Sequence, residues 1–341
     1  MKAGKTFAAL LLLGAIAAGL CTERGAELFS QARRGLESAL ELEAEAVHAA
    51  PEETAEPVIP EAEAPLPSLP PFPSEVELPK REQPTQTEKP IVLPTTIDGG
   101  LVINNDTSFD VDLEVLMAAG PSVKLPQQGV QVLIIHTHTS ESYTPDAEDN
   151  YMRTDSYRTE DTRYNIVRVG DELTACLESY GISVLHDRTS YDYPSYTGSY
   201  SRSGAAIEQH LAQHPEIAVV LDVHRDAIGS SDVVSKTVAE LSGQACSQVM
   251  LLAGTGENGL YHPNYMENLK LALYLQKAVV DSYPTLARPI ALKKERYNQQ
   301  LTSGSLILEV GSSGNTLQEA LRAVRLFADA AAPALLELKD G

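Results

Sequence analysis

The sequence predicts an α/β fold: a single domain of three layers around a mostly parallel sheet. Short apolar runs alternate with longer amphipathic segments along the chain, which is the pattern of strands and helices in alternation. The runs that end at Ile135, His224 and Glu309 are largely apolar, as expected of strands covered on both faces. Each of the three runs also stops abruptly in polar and charged residues.

Hydrophobic spacing and end signals place the individual elements. Gly120 and Gly181 each follow a predicted helix as its end signal. The predicted helices are Asp110 to Ala119, Tyr164 to Ser179, Ser203 to Gln213, Asn264 to Ser282 and Leu317 to Leu338. The predicted strands are Val130 to Ile135, Ile182 to Leu185, Ala218 to His224, Lys236 to Leu241, Ser247 to Ala253, Pro289 to Leu292 and Ser305 to Val310.

The charge balance limits the class of partner. The 341 residues include 47 acidic and 26 basic side chains, for a net charge of −21. A nucleic-acid binder needs a basic surface, so nucleic acid is excluded as a general partner. The cysteines Cys21, Cys176 and Cys246 lie far apart and match no zinc-finger or redox spacing, so Cys176 and Cys246 are interpreted as buried free thiols.

The first hundred residues predict an anchor and a spacer. Residues 1–22 combine a short basic start with an apolar run, which indicates a signal anchor and a single membrane span. The basic residues precede the run, so the remaining chain is expected outside the cytoplasm. Residues 23–50 predict a juxtamembrane helix, and the Pro- and Glu-rich residues 51–97 predict an extended, disordered linker. The catalytic domain is then expected at 100–341.

The strand ends carry the residues that suit metal chemistry. His136 and His138 follow the first strand, and Glu141 comes three residues later. His224 and Glu309 end two further strands. Ligands and catalysis gather at the carboxyl ends of strands in open α/β sheets. Histidine and carboxylate ligands are typical of zinc hydrolases.

Each assignment has a structural alternative. The histidines could be hydrogen-bonded residues of a strand end, and Glu141 could be exposed to solvent. Arg225 is a candidate for binding a substrate carboxylate. A carboxylate at the end of an apolar strand tends to have a raised pKa, and therefore Glu309 is predicted to be the general base.

Five segments give the chain a family resemblance. These segments are His136 to Tyr143, Tyr164 to Leu173, Tyr193 to Ser203, Asp222 to Ala227 and Leu308 to Thr316. On these motifs the sequence resembles stage II sporulation protein P, a family of membrane-anchored peptidoglycan hydrolases of endospore-forming bacteria. The resemblance implies similarity to zinc N-acetylmuramoyl-L-alanine amidases, with endopeptidase activity as well. It also implies a role in engulfment, with stage II sporulation proteins D and M as partners.

The related amidases use a His–Glu–His zinc triad and a late catalytic glutamate. Applied to this sequence, the resemblance implies that His224 is a zinc ligand and that Glu309 is the catalytic carboxylate. His138 is preferred to His136 as the first ligand. Glu141 and Asp161 both remain candidates for the middle carboxylate. The competing hypotheses are a non-catalytic peptidoglycan-binding scaffold and a metal-dependent esterase or deacetylase.

Overall fold

The computed structural model describes residues 91–93, 101–152, 157–229, 234–241 and 243–339. The predicted anchor at 1–22 and the predicted helix at 23–50 lie outside the described residues, and so does most of the predicted linker. Among the described residues, no helix combines the length and apolarity needed to cross a membrane.

Ten strands, five α-helices and one short 3₁₀ helix are found in the described part of the chain. The strands are β1 (Ile91–Leu93), β2 (Ile103–Asn105), β3 (Val132–Ile135), β4 (Val184–His186), β5 (Val219–Asp226), β6 (Ser235–Leu241), β7 (Gln244–Ser247), β8 (Val249–Gly254), β9 (Ile290–Lys293) and β10 (Ser305–Ser312). The helices are α1 (Leu113–Ala119), α2 (Ile166–Ser179), α3 (Ser199–Gln213), α4 (Tyr265–Ser282) and α5 (Leu317–Glu337), with the 3₁₀ helix at Gln299–Leu301.

Seven strands form the central sheet, in the order β2-β9-β8-β10-β5-β3-β4. Every neighbouring pair is parallel except β10 and β8, which are antiparallel. The strands β4, β3, β5 and β10 consequently run in one direction, and their carboxyl ends share one edge. A separate three-stranded sheet has the order β1-β6-β7.

Alternation along β5 assigns its side chains to two layers. Val219, Leu221 and Val223 join the large core cluster, which contains buried residues of α2, α4 and α5. Val220 packs instead with Leu133 and Ile135 of β3 and with Ile207 of α3. Helices therefore cover both faces of the sheet, and the predicted α/β class with a mostly parallel sheet is confirmed. By the same alternation, Asp222 and His224 lie on the α3 side.

Local end signals explain where the helices begin and end. The Asp112 side chain accepts a hydrogen bond from the Val115 amide at the start of α1, and Gly120 follows the helix with a φ of 62°. The Asn165 side chain accepts from the Val167 amide and so caps α2. Thr316 and Glu319 form a reciprocal capping box at the start of α5.

The structure differs from the sequence prediction at several elements. β1 lies within the segment predicted as linker and pairs in parallel with β6, so regular structure begins before residue 100. β2 was not predicted, and β7 lies mostly between the predicted strands Lys236 to Leu241 and Ser247 to Ala253, the second of which corresponds to β8. Helix α3 begins at Ser199, four residues before its predicted start at Ser203. Cys176 and Cys246 are free thiols as predicted, although only Cys246 is buried.

Candidate active site

The register of the sheet brings two of the candidate residues side by side. Glu309 of β10 is the direct partner of His224 of β5 in the parallel pairing. Ile135, the last residue of β3, pairs with Asp222 on the other side of β5. Neighbouring strands lie about 4.8 Å apart. The ends of β3, β5 and β10 consequently supply their side chains to one place.

His138, Glu141 and His224 form a group suited to a metal ion, called here the His–Glu–His cluster. Each offers one ligand atom, and these atoms all lie within 4.8 Å of one another. The Nδ1 atoms of His138 and His224 lie 3.5 Å and 3.4 Å from the two oxygens of the Glu141 carboxylate. The imidazole rings meet edge to face, with centroids 5.0 Å apart.

Glu141 is buried, and several positive groups compensate its charge. Burial alone raises its pKa, but the Arg225 guanidinium and the contacts with His138 and His224 outweigh this and hold the pKa well below the usual range. The Arg225 amide donates a hydrogen bond of 3.2 Å to Glu141 Oε2, and Arg158 Nη2 lies 3.5 Å from Oε1. Glu141 therefore remains a carboxylate, the form that binds metal ions.

Arg225 supports the loop that carries Glu141. Its Nε donates to the carbonyl oxygen of Ser142 at 2.9 Å, and its Nη2 donates to that of Tyr157 at 2.8 Å. The side chain is 4% exposed. The prediction that Arg225 binds a substrate carboxylate is not supported by this placement, because its guanidinium is buried and already bonded within the protein.

Asp222 orients the imidazole of His224. Asp222 Oδ1 lies 2.9 Å from His224 Nε2, and both side chains are buried. The Thr137 amide and hydroxyl donate to the two oxygens of Asp222, at 2.8 Å and 2.7 Å. Burial lowers the pKa of His224, but the carboxylates of Asp222 and Glu141 outweigh burial and hold it well above its usual value. Nδ1 of His224 is thereby directed towards Glu141.

Glu309 stands beside the cluster and is half-buried. Burial is the main cause that raises its pKa, to about 8, and the nearby Glu141 carboxylate adds to the effect. Its Oε2 is buried and has no hydrogen-bond partner within the described residues. Unpaired buried polar atoms are rare and often mark a functional group.

His136 lies beneath the cluster and has other partners. Its Nδ1 is 2.9 Å from the Val223 carbonyl oxygen, and its Nε2 is 2.8 Å from Nε2 of His186. Nδ1 of His186 in turn lies 3.2 Å from Asp171. Burial, reinforced by His186, lowers the pKa of His136 to about 3. Both ring nitrogens of His136 face protein atoms, which disfavours it as a ligand.

Asp161 is also held away from the cluster. Its carboxylate receives hydrogen bonds from Arg163 Nε at 2.9 Å and Nη2 at 2.6 Å. The contact with the Arg163 side chain is the main cause that lowers the pKa of Asp161. Because this pair lies at the surface, the structure favours Glu141 over Asp161 as the middle carboxylate.

Two tyrosines from the segment before and within α3 cover His138. The Tyr196 ring stacks on the His138 imidazole with centroids 4.6 Å apart, and the Arg158 guanidinium lies over the Tyr196 ring, 4.9 Å from its centroid. The Tyr200 ring meets His138 edge to face at 5.4 Å. The sequence predicted Asp192 to Ser201 only as a loop rich in Tyr, Ser, Pro and Gly, and did not single out these two residues. The clustering of tyrosines was the available signal.

Comparison with known proteins identifies the family. The family model described as stage II sporulation protein P matches residues 50–332. Stage II sporulation protein P of Bacillus subtilis (strain 168) is 31% identical over 209 residues, which are 58% of this chain. The aligned part is 49% of the relative, so the chain spans about half the length of the curated relative that it matches.

Solved structures of amidases also align with the chain at low identity. N-acetylmuramoyl-L-alanine amidase AmiC2 of Nostoc punctiforme has 14% identity and a TM-score of 0.36, covering 61% of this chain and 96% of its own. The CwlD amidase from Clostridioides difficile, solved in complex with the GerS lipoprotein, has 11% identity and a TM-score of 0.38, covering 61% and 98%. From the family match, the chain belongs to the stage II sporulation protein P family.

Proposed function

We propose that this protein is a zinc-dependent peptidoglycan hydrolase, an N-acetylmuramoyl-L-alanine amidase with endopeptidase activity, that acts in engulfment during endospore formation. The observation that carries the proposal is the His–Glu–His cluster with Glu309 on the neighbouring strand. Membership of the sporulation family supports the biological setting.

The cluster fits a zinc ion by the chemistry of its donors. Two imidazole nitrogens and one carboxylate are a ligand set of catalytic zinc sites, which keep a further position open for substrate. His138, Glu141 and His224 would hold the ion. Asp222 beside the far nitrogen of His224 matches the carboxylate–histidine–zinc arrangement that orients such ligands.

Residues of the protein then have separate roles in amide hydrolysis. Bound Zn²⁺ supplies a Lewis acid that polarises the amide carbonyl and acidifies water. Glu309 accepts the proton of the attacking water and returns it to the departing amine nitrogen, which is otherwise a poor leaving group. Burial raises the pKa of Glu309 above the usual value of a glutamate, which moves its proton exchange closer to neutral pH. Asp222 and Thr137 keep His224 in its orientation.

The same proposal includes a location and partners. We place the catalytic domain (100–341) outside the cytoplasm, on a membrane anchor at residues 1–22, a helix at 23–50 and a linker at 51–97. Stage II sporulation proteins D and M are the proposed partners. Protease added to protoplasts should cut within 51–94 and release the catalytic domain. Protection of this segment in intact protoplasts would contradict the orientation.

Product analysis tests the reaction. Purified full-length protein should contain one zinc ion and should release stem peptides from sacculi with new amino termini and no new reducing sugar ends. Glu309→Gln should retain zinc and lower kcat and kcat/KM together by roughly 100-fold or more, as expected for a general acid–base group. Glu178→Gln, at an exposed position of α2, is the matched control and should be active. Binding to sacculi without zinc and without product would favour the scaffold hypothesis instead.

A further inference from the structure

A cavity of about 300 Å³ opens next to the His–Glu–His cluster. Tyr200 connects the two places, because its ring contacts His138 and the residue also lines the cavity. Gly204 and Glu208 follow Tyr200 at intervals of four residues, so they lie on the same face of α3 and line the cavity with it. From Tyr200 to Glu208 the helix advances about 12 Å. The cavity therefore continues from the cluster along α3.

The opposite wall is a turn held in an unusual backbone conformation. Tyr297 and Asn298 have φ values of 49° and 59°, in the left-handed region that residues other than glycine rarely adopt. The Asn298 side chain donates a hydrogen bond of 2.8 Å to the Tyr200 carbonyl oxygen. A Cβ atom at Gly204 would come within 2.9 Å of Asn298 Oδ1, so this close approach depends on glycine. Such strain is found at sites where a ligand is held in place.

Groups of opposite charge line this cavity. Glu208 contributes a carboxylate from α3, and Arg296 contributes a guanidinium from the opposite wall. The Arg296 Nη1 donates to the Tyr261 carbonyl oxygen at 3.1 Å, which uses one of the five N–H donors of the side chain. Gln300 also lines the cavity, and its buried Oε1 has no hydrogen-bond partner in the part of the chain that the structure describes. A ligand that carries both an amino group and a carboxylate would complement these residues.

We infer that the cavity is a subsite for a zwitterionic side chain of the substrate peptide, an inference that rests on the proposed hydrolysis of peptidoglycan amides. The carboxylate of that side chain pairs with Arg296, and its amino group pairs with Glu208. An extended peptide covers at most about 3.6 Å per residue. Three residues counted from the scissile amide therefore cover about 11 Å, comparable with the advance of about 12 Å along α3 from Tyr200 to Glu208, and the side chain of the third residue reaches beyond that.

Binding of two soluble muramoyl tripeptides tests the subsite. In one the third residue is diaminopimelic acid, whose side chain carries an amino group and a carboxylate, and in the other it is lysine, which carries the amino group alone. Calorimetry uses the full-length Glu309→Gln protein with zinc supplied, so that the peptides are not consumed. We expect roughly tenfold tighter binding of the diaminopimelic acid peptide, since a guanidinium–carboxylate pair makes strong charge-assisted hydrogen bonds.

Variants of the two charged residues separate their roles. Arg296→Met should reduce the affinity for the diaminopimelic acid peptide to that for the lysine peptide and leave the latter unchanged. Glu208→Gln should weaken both. Arg163→Met and Glu178→Gln, at exposed positions away from the cavity lining, are the matched controls and should change neither affinity.

Equal affinities of the protein for the two peptides would overturn the inference. It would also be overturned if Arg296→Met had no more effect than Arg163→Met on the affinity for the diaminopimelic acid peptide. The readout is binding, so it is independent of the proposed reaction. If the wild-type chain binds with the expected preference and releases no stem peptide from sacculi, the proposed hydrolysis fails and the subsite stands. If it cleaves sacculi without this preference, the hydrolysis stands and the subsite fails.

Discussion

Two histidines only two positions apart have opposite surroundings. His138 contacts Glu141, His224 and the Tyr196 ring, and its side chain is 12% exposed. His136 is fully buried, and both of its ring nitrogens face protein atoms. The difference teaches that residue type and spacing do not identify a metal ligand. A ligand also needs a free nitrogen that converges with other donors.

The pKa values of His136 in the buried pair and of His224 in the cluster also shift in opposite directions. His136 faces a second histidine and a carbonyl oxygen, and its pKa falls to about 3 because burial is not offset. His224 is as well buried, yet the carboxylates of Asp222 and Glu141 keep its pKa well above the usual value. Carboxylates that favour a proton on an imidazole also favour a metal cation in its place. The acidic surroundings thus belong to the cluster and not to the His136 pair.

The largest expected effect comes from replacing His138 and His136 by alanine, one at a time. His138→Ala should abolish stoichiometric zinc, because a ligand is lost, whereas His136→Ala should retain it. Zinc is measured by atomic emission on full-length protein, with circular dichroism to show that the fold is kept. His214→Ala, on a partly exposed histidine after α3, is the control. Retention of zinc in His138→Ala together with loss of zinc in His136→Ala would mean that His136, and not His138, is the zinc ligand.

A smaller effect is expected from the residue that orients His224. Asp222→Asn should weaken zinc binding by roughly 10- to 100-fold, the usual result of removing a carboxylate behind a metal-bound histidine. Competition with a chelator of known affinity measures the change. Asp187→Asn is the matched control, because Asp187 accepts a hydrogen bond of 2.8 Å from His210 away from the cluster. An unchanged zinc affinity in Asp222→Asn would mean that His224 needs no such support.

The His136–His186 pair should matter for stability instead of zinc. His186→Ala leaves Nε2 of His136 buried without its partner, which should cost about 1–3 kcal/mol in the free energy of unfolding. Urea denaturation measures this loss, and zinc stoichiometry should be unchanged. A variant with full stability and less zinc would show instead that the pair serves the metal site.

A further effect is a pH dependence that belongs to His136. Its folded pKa of about 3 lies below the unfolded value of 6.5, so the unfolded chain binds the additional proton between these values. Stability should therefore fall as pH drops from 6.5 to 3, with a slope from this group of at most about 1.4 kcal/mol per pH unit. Histidine NMR of the metal-free protein should find His136 neutral at pH 5, and His136→Phe should flatten the slope. A His136 ring that titrates near pH 6.5 would contradict the assignment.

The sequence by itself predicted most of the fold. Apolar runs and helical spacing are local patterns, so they placed all five helices and seven of the ten strands of the described residues within about four residues. The missed strands depend on pairing, which is not local: β7 pairs with β6 and lies mostly in the predicted turn before the strand that corresponds to β8. The short strand β1 was missed inside a proline-rich segment for the same reason.

At the candidate site, sequence determined the residue types, and tertiary structure determined their partners. Strand ends in His136, His138, His224 and Glu309 predicted one chemically active edge, because parallel strands end together. The sequence left open which histidine and which carboxylate form the ligand set. Only the packed structure shows which of them lie together with His224, because β3 ends at Ile135 and the alternation of side chains ends with it. Beyond that point, the contacts of each side chain decide its direction: His136 bonds inward to Val223, and His138 meets Glu141 and His224.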